Sequence, residues 1–232
     1  MKAKIDCRKY IQEINKIHGL DFVYDKELDS DIYLYIFIKN YYLDRWISLF
    51  KIIFKNNKSD LISFIDLLKN IDSISQKLLT YTKIVEIEIK NYISDIYFPK
   101  KANKKQKQYN DDFAAFCKAD KHLNLMVERS GSIDQDILFA ELTFGDLFSI
   151  ILNISNKKTL YVSLPTFRGN SLRLCNPIRK LRNAVAHESY FVSLITKEII
   201  DDIKNNWKFL FSNWELELIE KTFRYNKENT QV

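Results

Sequence analysis

Apolar and polar positions alternate with the period of helices along most of this chain. Residues 4–18 place Ile5, Ile11, Ile14 and Ile17 on one helical face, and Gly19 follows where a helix stop is expected. His18 then falls in the last turn, where it complements the helix dipole, and is read as structural. Between Asp31 and Phe54 the stretch IYLYIFIKNYYLDRWISLFKIIF is too long for one strand and predicts a buried helix. Its aromatics are read as core. Asn56–Ser59 predicts a turn, with Ser59 capping a helix that runs to about Phe98 through Leu61, Phe64, Ile65, Leu68, Ile71, Leu78 and Leu79. A break is expected near Asp72–Ser75. The second half should turn Ile84, Ile87 and Tyr92 towards a core, and Pro99 ends it.

The periodicity lapses at 100–108, KKANKKQKQ, which reads as a loop or arm. It returns over 110–129. A turn at 129–132 follows, with Ser132 as a candidate cap. Residues 139–154 are apolar around an internal Thr-Phe-Gly, so a kink is expected at Thr143 or Gly145. Residues 156–166 form a connection in which YVSL suits extended chain. NPIRKLRNAVAHESY, 176–190, predicts a helix with Asn176 as N-cap and Pro177 at the first helical position. Thr196 should cap a last amphipathic helix to about Phe223, using Ile199, Ile200, Ile203, Trp207, Leu210 and Trp214. The tail from Tyr225 is expected to fray. The fold class that results is all-α. A helical extension over 1–58 packs on a helical bundle over 59–224, and 225–232 is tail.

Composition supports helices: four Gly and three Pro in 232 residues leave little turn material for a many-stranded sandwich or barrel. Three cysteines without a CxxC pair fit a reducing, cytoplasmic setting. No stretch of 18 residues is free of charge, so no membrane partner or span is expected. The net charge of +6 says less than its distribution. Lys100, Lys101, Lys104, Lys105 and Lys107 carry five positive charges, and Arg168, Arg173, Arg179, Lys180 and Arg182 carry five more. Neither segment has an acid, and the net +6 less these ten leaves −4 for the rest. A solvated face is the ordinary reading of such runs; phosphate contact is the functional one.

The second basic segment leads into Asn183 and His187. On a helix Arg179, Asn183 and His187 share a face, whereas Arg182 and His187 point roughly 140° apart. Joint action of the latter pair requires either a helix that loosens near His187 or a second copy of the helix. Arg neutralises phosphate oxygens in fork geometry, and His moves protons near neutral pH. That pairing suits RNA cleavage without metal or cofactor. The 2′-OH attacks, His187 acts as base or acid, Arg182 or Arg179 stabilises the phosphorane, and Asn183 orients the imidazole or binds phosphate. One His cannot accept and supply a proton at once; a dimer would supply two. Other chemistries fare worse. The three His have no metal-ligand spacing, Ser189 has no nucleophile elbow, and no Gly-rich phosphate loop exists. Glu86, Glu88 and Asp95 are read as exposed or ion-paired rather than as cation ligands.

RNAVAH, Arg182 to His187, resembles the Arg–polar–(three residues)–His motif of the HEPN superfamily. Together with IVEIEIKNYISDIYF (84–98) and AELTFGDLFSIILNI (140–154), PIRKLRNAVAHES (177–189) is similar to the Abi-like abortive-infection family, of the AbiD/AbiF kind. The likeness spans roughly 75–190. It implies a HEPN-like helical bundle, usually dimeric, acting in defence against phage or as a toxin with an antitoxin or partner RNA. It also implies metal-independent endoribonuclease activity, with Arg182, Asn183 and His187 catalytic where two subunits meet. Family members often continue past the motif His with another His, then Ser-Arg and an aromatic-Asn pair. Here Glu188-Ser189-Tyr190-Phe191 follows. A non-catalytic RNA-binding module of the same fold is the alternative.

Overall fold

A computed structural model describes residues 5–38, 40–54, 60–97, 142–153, 172–187 and 190–229, with isolated positions at 115, 117, 118, 124, 125, 128 and 140. Among the described residues every regular element is helical, so the fold is all-α. None of these helices is long and apolar enough to cross a membrane. The helices are α1 (Cys7–His18), α2 (Asp29–Asp31, continued by π-helical turns over Ile32–Phe37), α3 (Leu43–Ile53) and α4 (Leu61–Tyr97). Then come α5 (Phe144–Asn153), α6 (Leu172–Ala186), α7 (Lys197–Asp202) and α8 (Asn213–Asn229).

The chain forms two compact units that interleave in sequence. Unit 1 comprises Met1–Leu78, Ala184–Ile195 and Phe211–Val232; unit 2 comprises Leu79–Asn183 and Thr196–Leu210. Residues 1–58, expected as an extension, thus share a unit with the first half of α4 and with α8.

Unit 1 is built on aromatic packing. Phe22, Phe50 and Phe64 bring α3 and α4 together with the segment after α1, their ring centroids 5.1–5.9 Å apart. Gly19 ends α1 at φ 60°, and its N–H bonds to the Asn15 carbonyl, as a C-terminal glycine should. The Asn15 side chain then pins the exit by bonding both the N–H and the carbonyl of Phe22. Ile17, expected in the core, is 73% exposed, because only the Cys7–Ile11–Ile14 stripe faces inward. His18 is the dipole-end residue expected, 3.3 Å from Asp44.

The single helix expected over 31–54 is two. The π-turns of α2 bury Ile32 and Ile36, and a 3₁₀ turn over Asn40–Tyr42 precedes α3. The wider π-turn shifts the side-chain phase, which a fixed period of 3.6 cannot follow. Conversely α4 runs unbroken past Asp72–Ser75. Asp60 accepts the Ser63 N–H at 2.7 Å at its start, and this bond lowers the Asp60 carboxyl below its ordinary pKa. Ser59, expected in that role, lies outside the described residues, as does Pro99.

A buried ion pair fixes α8 to α4 within unit 1. Glu215 accepts two bonds from the Lys77 ammonium, at 2.7 and 2.6 Å, and one from the Ser73 hydroxyl at 3.0 Å. It also closes a capping box. The Ser212 N–H reaches its carboxylate at 2.7 Å, and its own N–H reaches the Ser212 hydroxyl at 3.2 Å. Burial pushes the Glu215 carboxyl up, but Lys77 and the Ser212 donors outweigh it and hold it below the ordinary value. This box explains why the last helix is not one but two: after α7 the chain passes through π and 3₁₀ turns over Ile203–Leu210 and restarts at Asn213. Trp214, expected inside, is 46% exposed. Thr196 caps α7 as expected, accepting the Ile199 N–H.

In unit 2 the second half of α4 buries Val85, Ile89 and Tyr92. Ile87, expected inward, is 54% exposed, so the inward face is turned about one residue from expectation. Tyr81 is fully buried and donates to Asp202 at 2.7 Å, and Asn206 donates to the other oxygen at 2.8 Å. Burial, then the Asp202 charge, pushes the Tyr81 phenol well up. Helix α5 starts one residue after Thr143. Asp146 accepts both the N–H and the hydroxyl of Thr143, at 2.8 and 2.6 Å, and returns its own N–H to that hydroxyl. The expected kink is therefore a capped beginning, with Gly145 in the first turn.

Candidate functional site

Helix α6 begins at Leu172, four residues before the expected cap, so Pro177 lies inside it. Proline has no N–H to give the Arg173 carbonyl, which costs one helical bond near the start of the helix. Asn176, freed from capping, accepts a bond from the Arg179 guanidinium at 2.9 Å. Ile178, Leu181 and Val185 are buried, while Asn176, Arg179, Lys180 and Asn183 are exposed. Arg182 sits at the margin, partly buried. The result is an amphipathic helix whose outward face carries cations and amides, as the spacing predicted. Arg179 also crosses the first turn of α5: its Cδ lies 3.8 Å from where a Cβ on Gly145 would stand.

The helix ends at Ala186, and His187 is the turn residue directly after it. Its direction is therefore not bound by the 100° step that places Arg182. Tyr190 and Phe191, three and four residues further on, anchor the chain that leaves the helix. Tyr190 packs on Trp46 of α3 at 4.5 Å between centroids, and Phe191 on the same ring at 6.4 Å.

These contacts hold His187 at the side of a cleft of about 370 Å³ that lies within unit 1. The volume falls in the range of small-molecule sites. Its aromatic walls are Tyr41, Tyr42, Trp46 and Phe191; its polar groups, besides His187, are Asp72, Ser75 and Gln76 from α4. Ile38, Leu68 and Ile71 complete the apolar lining. Tyr41 is 88% exposed, leaving one ring face open to a ligand. Beside the cleft the Arg45 guanidinium lies over two rings, 5.3 Å from Tyr190 and 5.8 Å from Tyr42. Stacking on aromatic faces holds an arginine while leaving its in-plane N–H donors available.

The structure thus brings to the cleft that His187 lines a set of residues that the pattern along the chain did not nominate: Tyr41, Tyr42, Trp46, Asp72 and Gln76, with Arg45 stacked on Tyr42 and Tyr190. Arg173 is the second residue of α6. Arg168, Lys100, Lys101, Lys104, Lys105, Lys107, Glu188 and Ser189 lie outside the described residues. Of the three carboxylates weighed as cation ligands, Glu86 pairs with Lys90 at 3.0 Å and Asp95 is exposed. Glu88 is neither exposed nor ion-paired as expected: its Oε2 is buried without a hydrogen-bond partner among the described residues. Burial, then the Asp202 charge, raises its carboxyl pKa. Among the described residues no three His, Cys, Asp or Glu side chains converge as a metal site would require. No family model matches the chain, and neither does any curated protein or solved structure.

Proposed function

We propose that the chain is a HEPN-type endoribonuclease of the Abi-like kind. It would cleave RNA without a metal or cofactor and serve in phage defence or as a toxin in the cytoplasm. The observation that carries this reading is the position of His187: exposed, just beyond a helix whose outward face is cationic, and on the wall of an aromatic cleft. An imidazole so placed can exchange protons with a ligand in the cleft, and neighbouring cations can neutralise phosphate.

In the proposed reaction the ribose 2′-OH attacks the adjacent phosphorus and loses its proton to an imidazole. The 5′-oxygen leaves with a proton from an acid. The products are a 2′,3′-cyclic phosphate and a 5′-hydroxyl. Arg182 stabilises the dianionic phosphorane, and Asn183 binds phosphate or orients the ring. A homodimer would supply the second imidazole that concerted acid–base transfer needs. Because His187 follows the helix rather than lying on it, the angular mismatch with Arg182 no longer argues for that dimer. The proton balance does.

The test uses purified protein, EDTA and single-stranded RNA. Wild type should release fragments ending in cyclic phosphate, and His187→Ala and Arg182→Ala should each lose at least about a hundredfold. Cleavage that survives both substitutions refutes the mechanism. RNA binding with no cleavage by wild type favours instead a binding module, a reading that the exposed Tyr41 and the stacked Arg45 support.

A further inference from the structure

We propose that the cleft beside His187 binds a small aromatic carboxylate, whose ring lies against the apolar walls and whose carboxylate accepts hydrogen bonds from Ser75 and Trp46, with the Arg45 charge beside it. The proposal rests on the nuclease reading only for its consequence, that an occupant covers His187 and keeps RNA from the imidazole. The recognition itself stands on the cleft alone. The walls are rings and aliphatic side chains, and a volume of about 370 Å³ admits a small ring system rather than a helix. Flat apolar bodies pack well on such walls.

Ser75 decides what the polar end of the ligand must be. It lies within α4, is only 9% exposed, and makes no hydrogen bond among the described residues. A serine in a helix commonly donates to the carbonyl four residues earlier, as Ser48 does to Asp44 and Ser149 to Gly145. Ser75 makes no such bond to Ile71. Nor is its oxygen sealed in the core: it is not one of the enclosed unbonded atoms there, so it opens to the cleft it lines. Buried hydroxyls are nearly always bonded, and this one is left for whatever fills the cleft. The Trp46 indole N–H, which can only donate, is likewise unbonded among the described residues, not enclosed, and in the lining. Asp72 and Gln76 line the cleft too, but each already has a partner. The groups left open are therefore a hydroxyl, an indole N–H and the exposed imidazole of His187, and a carboxylate accepts from all three. Arg45 supplies the charge. Its contacts among the described residues are the faces of Tyr42 and Tyr190, at 5.8 and 5.3 Å, which leaves its in-plane N–H fork for an anion. Tyr42 is itself a wall of the cleft.

The site is tested without RNA. The purified full chain is titrated with naphthylacetate, naphthylacetamide, naphthylethylamine and plain acetate, followed by ligand-observed NMR. The first three keep the ring and change the charge; the last keeps the charge and drops the ring. Naphthylacetate should bind saturably below about 1 mM. A hydrogen bond to a charged group is typically worth about 10- to 150-fold, so the amide should fall behind by that order, and the amine and acetate further still. Ser75→Ala and Arg45→Met should each weaken the acid by about tenfold, and Arg45→Met should also narrow the gap between acid and amide. Circular dichroism and the melting temperature confirm that Ser75→Ala is folded, and Arg45, which is exposed, tests the charge without touching the core. No saturable binding of the acid, equal binding of acid and amide, or unchanged acid binding in both folded variants each overturns the proposal. Where wild type cuts RNA, the acid should inhibit over the concentration range in which it binds; cleavage that persists at saturation overturns the covering of His187. Acid binding by a protein that cuts no RNA leaves the site standing while the nuclease reading falls. RNA cleavage with no acid binding does the reverse.

Discussion

Replacing Lys77 by Met probes the buried carboxylate of Glu215 directly. The substitution keeps the aliphatic stem and removes the ammonium. Glu215 has a side chain only 5% exposed, so its charge loses two short bonds and cannot recruit a full hydration shell. Breaking such a pair from one side typically costs about 3–5 kcal/mol. The Ser73 hydroxyl and Ser212 N–H remain, and Lys77 is itself 36% exposed, which weakens the original attraction. The expected loss is therefore about 2–3 kcal/mol, or about 4–12 °C in melting temperature for a chain of this size. Glu215→Gln should cost only about 1 kcal/mol, since it leaves an ammonium that water can reach and an amide that still bonds Ser212. The double variant should resemble Glu215→Gln alone, because the uncompensated charge is gone. The pH dependence supplies a sign. In wild type the folded carboxyl lies below its ordinary pKa, so its contribution is complete above the unfolded value and is lost as pH falls through the folded one. Lys77→Met removes the largest of the causes that lower it, so the folded pKa rises relative to wild type and the carboxylate's contribution is smaller and is lost at a higher pH on acidification. Urea unfolding followed by circular dichroism at several pH values measures all of this. A Lys77→Met protein within about 0.5 kcal/mol of wild type, or no less stable than Glu215→Gln, would refute the reasoning.

Other substitutions test other parts. Glu88 has a raised carboxyl pKa, so its contribution is present below the unfolded value and is lost as pH rises through the folded one; Glu88→Gln should raise the melting temperature at pH 8 and change little at pH 4. Gly19→Ala meets no atom within 4 Å but must hold φ at 60°, and should cost about 1 kcal/mol by thermal unfolding. Tyr81→Phe removes the phenol that Asp202 accepts and should cost about 1.5–3 kcal/mol in urea, since the carboxylate is buried and charged. Arg45→Met should weaken RNA binding and lower the slope of log affinity against log salt by about one, as measured by fluorescence anisotropy.

Helix existence was legible because apolar period and caps agree. Gly19, Thr196 and the stripe from Leu61 to Leu78 each signal their role within a few residues. Boundaries were less so. Thr143 and Asp146 form a capping box inside an apolar run, and Asn176-Pro177 imitates a helix start that the residues from Leu172 override. Ile203 and Trp207 are buried as expected although π-turns run through them; the phase is lost only beyond the restart at Asn213, where Trp214 comes out exposed. Of the candidate site, the cationic face of α6 could be read from residue order, since it needs only one helix. The cleft could not: His187 meets Tyr41 and Asp72 from more than a hundred residues away, and nothing local in either segment signals the other.

The interleaving of the two units has a consequence for synthesis. Unit 1 needs α8, whose Glu215 accepts from Lys77, and the cleft needs His187 and Phe191 from the last quarter of the chain. A ribosome adding about 5–20 residues per second therefore holds α3 and the start of α4 for several seconds before their partners emerge. During that interval the aromatic walls exist only as an unfinished surface. A nascent or truncated chain ending before His187 lacks both His187 and Phe191, so the cleft has no wall on that side to close around a ligand.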